Sequence, residues 1–205
     1  MSIKSYFPTF IYHEPLLKSS LKAFNKELLK ECYQFKDLDE EGQDWSSKNY
    51  VGGYTSYSSY SNLHEVSSTF TNLQRKIDKH INIFSKHLEM ELGSGTLEMI
   101  DCWLNIMPAG TSHSAHIHPL SVISGTYYLE MPKNASGIHF EDPRLPSFMA
   151  SPPKKEKHKK ANQQFAKIKT KSGDLVLFES WLRHGVPASI NQKDRVSISF
   201  NYHWV

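Results

Sequence analysis

His116 and His118 stand one residue apart in Ser114-Ala115-His116-Ile117-His118-Pro119. On an extended chain the side chains alternate, so both imidazoles point to one face and Ile117 to an apolar layer on the other. Neutral imidazole is the commonest transition-metal ligand, and two on one face make half of a metal site. Two imidazoles are also an expensive choice for a packed core unless something is bound there. A third candidate, His184, opens a later strand in Trp181-Leu182-Arg183-His184-Gly185. Any one of the eleven histidines is more readily structural than ligating, but these three are followed by Arg195-Val196-Ser197-Ile198-Ser199. There the period of 2 puts Arg195, Ser197 and Ser199 on one face. A guanidinium pointing into a fold calls for a carboxylate, either an Asp or Glu of the chain or a bound dicarboxylate, and Ser197 can add a hydroxyl.

The elements that must position these residues change character near residue 96. Before it the apolar spacing is helical. Leu16, Leu17, Leu21, Phe24, Leu28, Leu29 and Cys32 predict a helix from about Glu14-Pro15 to Phe35, with Pro15 in its first turn. Phe70, Leu73, Ile77, Ile81, Phe84 and Leu88 predict another, capped by Ser67 or Ser68 and running to about Leu92. Phe7–Tyr12 reads as a short strand, Asp37–Lys48 as a loop, and Tyr50–Tyr57 as a strand bent at Gly52-Gly53 rather than a pocket wall. After residue 96 a period of 2 predicts strands at Leu97–Met107, His113–His118, Val122–Met131, Gly137–Glu141, Phe165–Thr170, Leu175–Glu179, His184–Ser189 and Arg195–His203. Eight strands after a helical third suggest an α+β chain: a jelly roll with N-terminal helices packed on one sheet. The reading is one domain over 1–205, with a helical layer at 1–96 and the jelly-roll core at 97–205.

The bulk composition narrows the class. No apolar run approaches the ~20 residues of a membrane helix, and the N-terminus lacks a signal-peptide layout. Two cysteines, Cys32 and Cys102, are too few for a disulfide framework and suit buried thiols in a cytoplasmic protein. The net charge is +3, yet eight lysines and one glutamate lie between Ala150 and Ser172. That is a basic loop on a mildly acidic body, read as a mobile solvated insert around 145–162 rather than a nucleic-acid surface.

The order His116-x-His118, His184, Arg195-x-Ser197 resembles the Fe(II)- and 2-oxoglutarate-dependent oxygenases, whose motif is His-x-Asp/Glu, a distal His and Arg-x-Ser on a double-stranded β-helix. Ile106–Gly110, Gly125–Leu129 and Ser136–Phe140 look like stretches of the prolyl-hydroxylase branch. A closer likeness, to an oxygenase group within the superfamily, is carried by Trp103–Asn105, His116–Pro119, Ser124–Tyr128, Asp142–Arg144 and Arg195–Asn201. The resemblance implies a dioxygenase that couples decarboxylation of 2-oxoglutarate to succinate with hydroxylation of a C–H bond. Iron would be held by His116, His118 and His184, and 2-oxoglutarate by Arg195 with Ser197, Tyr128 and Asn105. Dioxygen and a peptidyl or small-molecule substrate would be the partners, with Tyr54, Trp181 and Arg144 at the mouth. A homodimer is compatible with this reading.

The departure from the family pattern is His118, which holds the place of a carboxylate and leaves a ferrous site one unit more positive. His118 can coordinate, stand aside for water, or yield to Glu130, Asp142 or Glu179; coordination is the favoured reading. Two rivals from other classes stay open: a non-catalytic module that binds metal or 2-oxoglutarate, and a three-histidine, cupin-like dioxygenase that does not use 2-oxoglutarate.

Overall fold

The computed structural model describes residues 2–18, 21–144, 149–190 and 192–205. Its first strand, β1 (Ile11–Pro15), lies later than the Phe7–Tyr12 prediction and takes in Pro15, which the helical spacing had assigned to a first helical turn. Pro15 closes β1 at the edge of a sheet, opposite Asp174, where a residue without an N–H is tolerated. Helix α1 (Leu21–Leu38) then buries Leu28 and Cys32, two positions of the predicted stripe.

The expected loop at Asp37–Lys48 contains helix α2 (Glu40–Asn49). Asp39 caps it, accepting a 2.9 Å hydrogen bond from the Gly42 N–H. Its buried residues are Gly42 and Ser46, so no apolar stripe advertises it in the sequence. A two-residue strand, β2 (Tyr54–Thr55), and a short helix, α3 (Leu63–Val66), lead to α4 (Ser68–His87). Ser67 caps α4 as expected, accepting from Thr69 N and Phe70 N, and Phe70, Leu73, Ile77, Ile81 and Phe84 are all buried.

The eight later strands all form: β3 (Leu97–Met107), β4 (His113–His116), β5 (Ile123–Glu130), β6 (His139–Glu141), β7 (Phe165–Lys167), β8 (Asp174–Glu179), β9 (His184–Val186) and β10 (Arg195–Trp204). They make two antiparallel sheets. The larger has the order β1-β8-β5-β10-β3-β2, the smaller β4-β9-β6-β7.

Strand alternation assigns two jobs to the large sheet. Leu104, Ile106, Tyr127, Leu129, Leu175, Leu177, Val196, Ile198 and Phe200 join the buried residues of α1 and α4 in one apolar core. The residues between them face the small sheet, where Tyr128, Val176 and Phe178 pack with Ile138, Phe140 and Leu182. Gly125 in β5 belongs to the crowded side: a Cβ there would lie 2.5 Å from Phe200 and 2.6 Å from Leu177. Gly125→Ala should therefore cost ~1–3 kcal/mol of stability. An unchanged midpoint in urea denaturation would contradict this packing.

Cys32 and Cys102 are buried free thiols. No helix among the described residues is long and apolar enough to cross a membrane. Residues 149–159 are exposed and without helix or strand; the rest of the basic stretch up to β7 holds one 3-10 turn, Lys160–Asn162. The 145–148 part of the expected insert lies outside the described residues.

Candidate functional site

Two sequence-distant strands bring the histidines together. In the β4–β9 pair His116 stands directly opposite His184. Strand β4 stops at His116, and the chain turns so that the His118 N–H donates to Ser180 O at 3.1 Å. Alternation therefore lapses, and Ile117 does not enter an apolar layer as expected: it is 46% exposed and lines an open cavity. Leu120, just beyond, is held at a φ of 70°, a left-handed conformation that costs a leucine energy, at the rim of the same cavity.

One ring nitrogen from each of His116, His118 and His184 lies within 4.8 Å of the others; among the described residues no other His, Cys, Asp or Glu trio does so. The Nδ1 atoms of His116 and His184 each face a carbonyl, Ser114 O and Leu182 O, at 2.8 Å. Donation of Nδ1–H to those carbonyls leaves both Nε2 atoms as bare lone pairs aimed at the cluster. His118 Nε2 lies 3.2 Å from His184 Nε2. Burial, with the neighbouring imidazoles adding to it, lowers His118 to about 4. Burial also takes His184 to about 3. At neutral pH the cluster thus offers uncharged donors, the form a metal requires.

Among the described residues no carboxylate joins the trio. Asp142 is engaged by Arg144, whose Nε and Nη2 donate to it at 2.9 and 2.6 Å. Glu130 sits opposite Val196 at one end of β5, and Glu179 opposite Ile123 at the other. None of these alternatives to His118 belongs to the cluster.

The large sheet supplies the second half of the site. Arg195, Ser197 and Asn105 line the same inner cleft as the three histidines. Arg195 is 3% exposed. Its Nη1 donates to Ser197 Oγ at 3.0 Å and to Met107 Sδ at 2.9 Å, and its Nε has no partner. Its guanidinium carbon lies 5.1 Å from the centre of the Tyr128 ring, and the buried Tyr128 hydroxyl, near both Arg195 and Thr170, makes no well-aligned hydrogen bond. Among the described residues no carboxylate pairs with Arg195. A buried guanidinium without a counter-ion is costly, so of the two partners open to Arg195 the bound anion is the one that fits.

The mouth residues fall elsewhere. Tyr54 is buried and donates to Asp39 at 2.7 Å, behind the cleft rather than at its opening. Trp181 and Arg144 are exposed, and neither lines the inner cleft or the open cavity beside it. That cavity, of 430 Å³, is lined instead by Trp45, Tyr50, Tyr57 and Trp103 together with His113, His116 and His118. Trp103 lies 5.8 Å from His118 ring to ring, and Tyr50 stacks edge-on against His113 at 5.4 Å. Tyr50–Tyr57 was read as a plain bent strand, whereas Tyr50 and Tyr57 form a wall of this cavity. Strand parity from Asn105 to Trp103 and Asp101 was the available signal for the β3 side; α2, which supplies Trp45 and Asn49, had none.

Comparison with known proteins is consistent with this arrangement. The sequence profile of a family described as "Putative 2OG-Fe(II) oxygenase" matches residues 101–201, the stretch that holds all three histidines and Arg195. Among curated protein sequences there is no match. Among solved structures, a prolyl-4-hydroxylase from Pseudomonas putida superimposes with a TM-score of 0.61 at 13% identity, covering 95% of this chain and 92% of that one. HygX from Streptomyces hygroscopicus, with nickel, 2-oxoglutarate and hygromycin B bound, gives 0.62 at 14% identity, covering 95% and 83%. SnoN, a non-heme alpha-ketoglutarate-dependent epimerase from nogalamycin biosynthesis, gives 0.62 at 15%, covering 95% and 76%. At these identities the likeness speaks for the fold.

Proposed function

From the match of residues 101–201 to the 2OG-Fe(II) oxygenase family, we propose that the chain is an Fe(II)- and 2-oxoglutarate-dependent dioxygenase that hydroxylates a C–H bond of a small-molecule or peptidyl substrate. On this reading the two sheets are the halves of a double-stranded β-helix, and the helices are a layer on the larger one. The observation that carries the proposal is Arg195: a buried cation with a free Nε, beside a Tyr128 hydroxyl without a well-aligned hydrogen bond, in the cleft that the three imidazoles share.

The residues fit both members of the cofactor pair. His116, His118 and His184 present uncharged nitrogen donors, a set suited to a divalent transition metal. The Arg195 guanidinium, Ser197 and the Tyr128 hydroxyl would hold the distal carboxylate of 2-oxoglutarate, and Asn105 is placed to contact its length. When bound, iron and 2-oxoglutarate supply the oxidising chemistry, with succinate as its measurable by-product. The protein's part is to orient. Ser114 O and Leu182 O fix the ring planes of His116 and His184. Ser197 braces Arg195, and Phe178, whose ring is 4.4 Å from that of His184, shields one side of the trio from water. Trp103, Tyr50, His113, His116 and His118 line both the inner cleft and the open cavity, so a substrate lying in the cavity would face the reacting end of the cleft.

Anaerobically prepared protein supplied with Fe(II), oxygen and labelled 2-oxoglutarate should release succinate above the iron-only background, even without substrate. No succinate from protein that still binds iron would overturn the proposal. It would favour the three-histidine, cupin-like enzyme, which the all-imidazole donor set also suits.

A further inference from the structure

The open cavity carries a charge pattern that the cofactor reading does not use. Along paired strands β3 and β10 four rungs lead from the inner cleft out to it: Arg195 opposite Met107, Ser197 opposite Asn105 and Ser199 opposite Trp103 along the cleft, then Asn201 opposite Asp101 in the cavity, which Trp103 also lines. Strand β5 extends the last three with Tyr128, Thr126 and Ser124. The strip thus runs from a buried cation, through neutral hydroxyls and an amide, to an acid, over roughly 20 Å for the seven residues Arg195–Asn201 of β10. Trp103, the ring beside His118, is one rung, about 7 Å, from Asp101.

Asp101 is the one formally charged side chain among the described residues lining the 430 Å³ cavity. The other titratable groups there are Tyr50, Tyr57 and four histidines, His113, His116, His118 and His203. The Asp101 carboxylate is held by Asn201 Nδ2, which donates to Oδ2 at 2.8 Å; Asn201 in turn accepts from Ser124 Oγ. Among the described residues no lysine or arginine pairs with Asp101. The aromatic faces of Trp45, Tyr50, Tyr57 and Trp103 surround the approach, with Tyr57 and Trp103 edge-to-face at 5.0 Å. An oriented, unpaired carboxylate among electron-rich rings is a receptor for an organic cation: the carboxylate attracts its charge and the rings its flat or methylene surface.

We propose that this cavity takes a substrate bearing a positively charged amine or guanidine beside an apolar segment, with Asp101 as its charge partner and specificity determinant. The inference rests on the reading of the histidine cluster as the reacting centre, but its test needs neither iron nor 2-oxoglutarate. Metal-free protein is titrated with benzylammonium, benzyl alcohol and benzoate, one ring carrying three charges, and read by tryptophan fluorescence, since Trp45 and Trp103 line the cavity. The wild type should bind benzylammonium about tenfold or more tightly than benzyl alcohol, and benzoate weakest, a pattern set by one charge pair in a partly dry site. In Asp101→Asn, which keeps an oxygen for Asn201, the cation preference should shrink to within about threefold. Equal binding of the three probes, preference for benzoate, or no quenching by any of them would overturn the proposal on wild-type protein alone. So would a cation preference that persists in a folded Asp101→Asn variant. If succinate formation fails while the cation preference stands, the cofactor reading is wrong and the cation site is not; the opposite outcome separates them the other way.

Discussion

Arg195→Met weakens 2-oxoglutarate binding by about 100-fold or more while leaving the metal-free protein as stable as the wild type, or more so. The first half follows from the partner it would lose. Breaking a buried, hydrogen-bonded charge pair costs ~3–5 kcal/mol, and each ~1.4 kcal/mol is tenfold in affinity. The second half separates binding from architecture. A structural arginine would be paired with a carboxylate of the chain, and removing it would leave that carboxylate stranded. Arg195 has no such carboxylate among the described residues, and its Nε is unused. A methionine of similar length removes the cost of burying an uncompensated charge and keeps the packing against Tyr128. Arg195→Lys should fall between, since an ammonium keeps the charge and loses the planar fork. Calorimetric titration with 2-oxoglutarate and thermal unfolding of the metal-free variants give the two readings. A loss of several kcal/mol of stability in Arg195→Met, with unchanged affinity, would make the residue structural.

The sequence announced the parts of the site that depend on alternation and missed those that depend on a helix without an apolar stripe. From Leu97 onward every strand was legible: β3, β5, β6, β8 and β10 pack one face on an apolar cluster and show a period of 2, and the short strands between them are bounded by turn residues. That pattern also put Arg195, Ser197 and Asn105 on one face, where the structure has them. Helix α2 was not legible, since it buries Gly42 and Ser46 and is held by the Asp39 cap, not by an amphipathic face. Trp45 and Asn49 ride on it, so one wall of the outer cavity was invisible as well. Tyr54 failed as a mouth residue because the pairing of β2 with β3 turns its side chain into the core, to Asp39. Ile117 failed because strand geometry was extended two residues past the end of β4. His118 lies beside His116 and His184 all the same, its place fixed by the bond to Ser180 O and not by the pleat.

His118→Ala lowers Fe(II) affinity by more than about 100-fold, and His118→Asp restores most of it. The contact between His118 Nε2 and His184 Nε2, 3.2 Å, is the basis. The His184 Nδ1–H is committed to Leu182 O, so its Nε2 carries a lone pair, which His118 Nε2 can face as the N–H of its own neutral tautomer or by sharing a cation. Burial holds both rings well below neutral pH, at about 4 and about 3, so both are uncharged. With the His118 proton on Nδ1 instead, the two Nε2 lone pairs would converge on a shared divalent metal. Loss of groups that merely orient a ligand costs roughly 10–100-fold in affinity, so loss of a ligand itself should exceed that. Aspartate at 118 returns an oxygen donor at the motif's usual place and removes one unit of positive charge from the site, so the variant should bind Fe(II) at least as well as any neutral replacement. Anaerobic competition against a chromogenic chelator measures all three proteins without turnover. If His118→Ala binds iron like the wild type, His118 stands aside and the site rests on His116 and His184. If affinity falls in His118→Ala and recovers in His118→Asp, the position is a ligand, and imidazole is this chain's own choice for it.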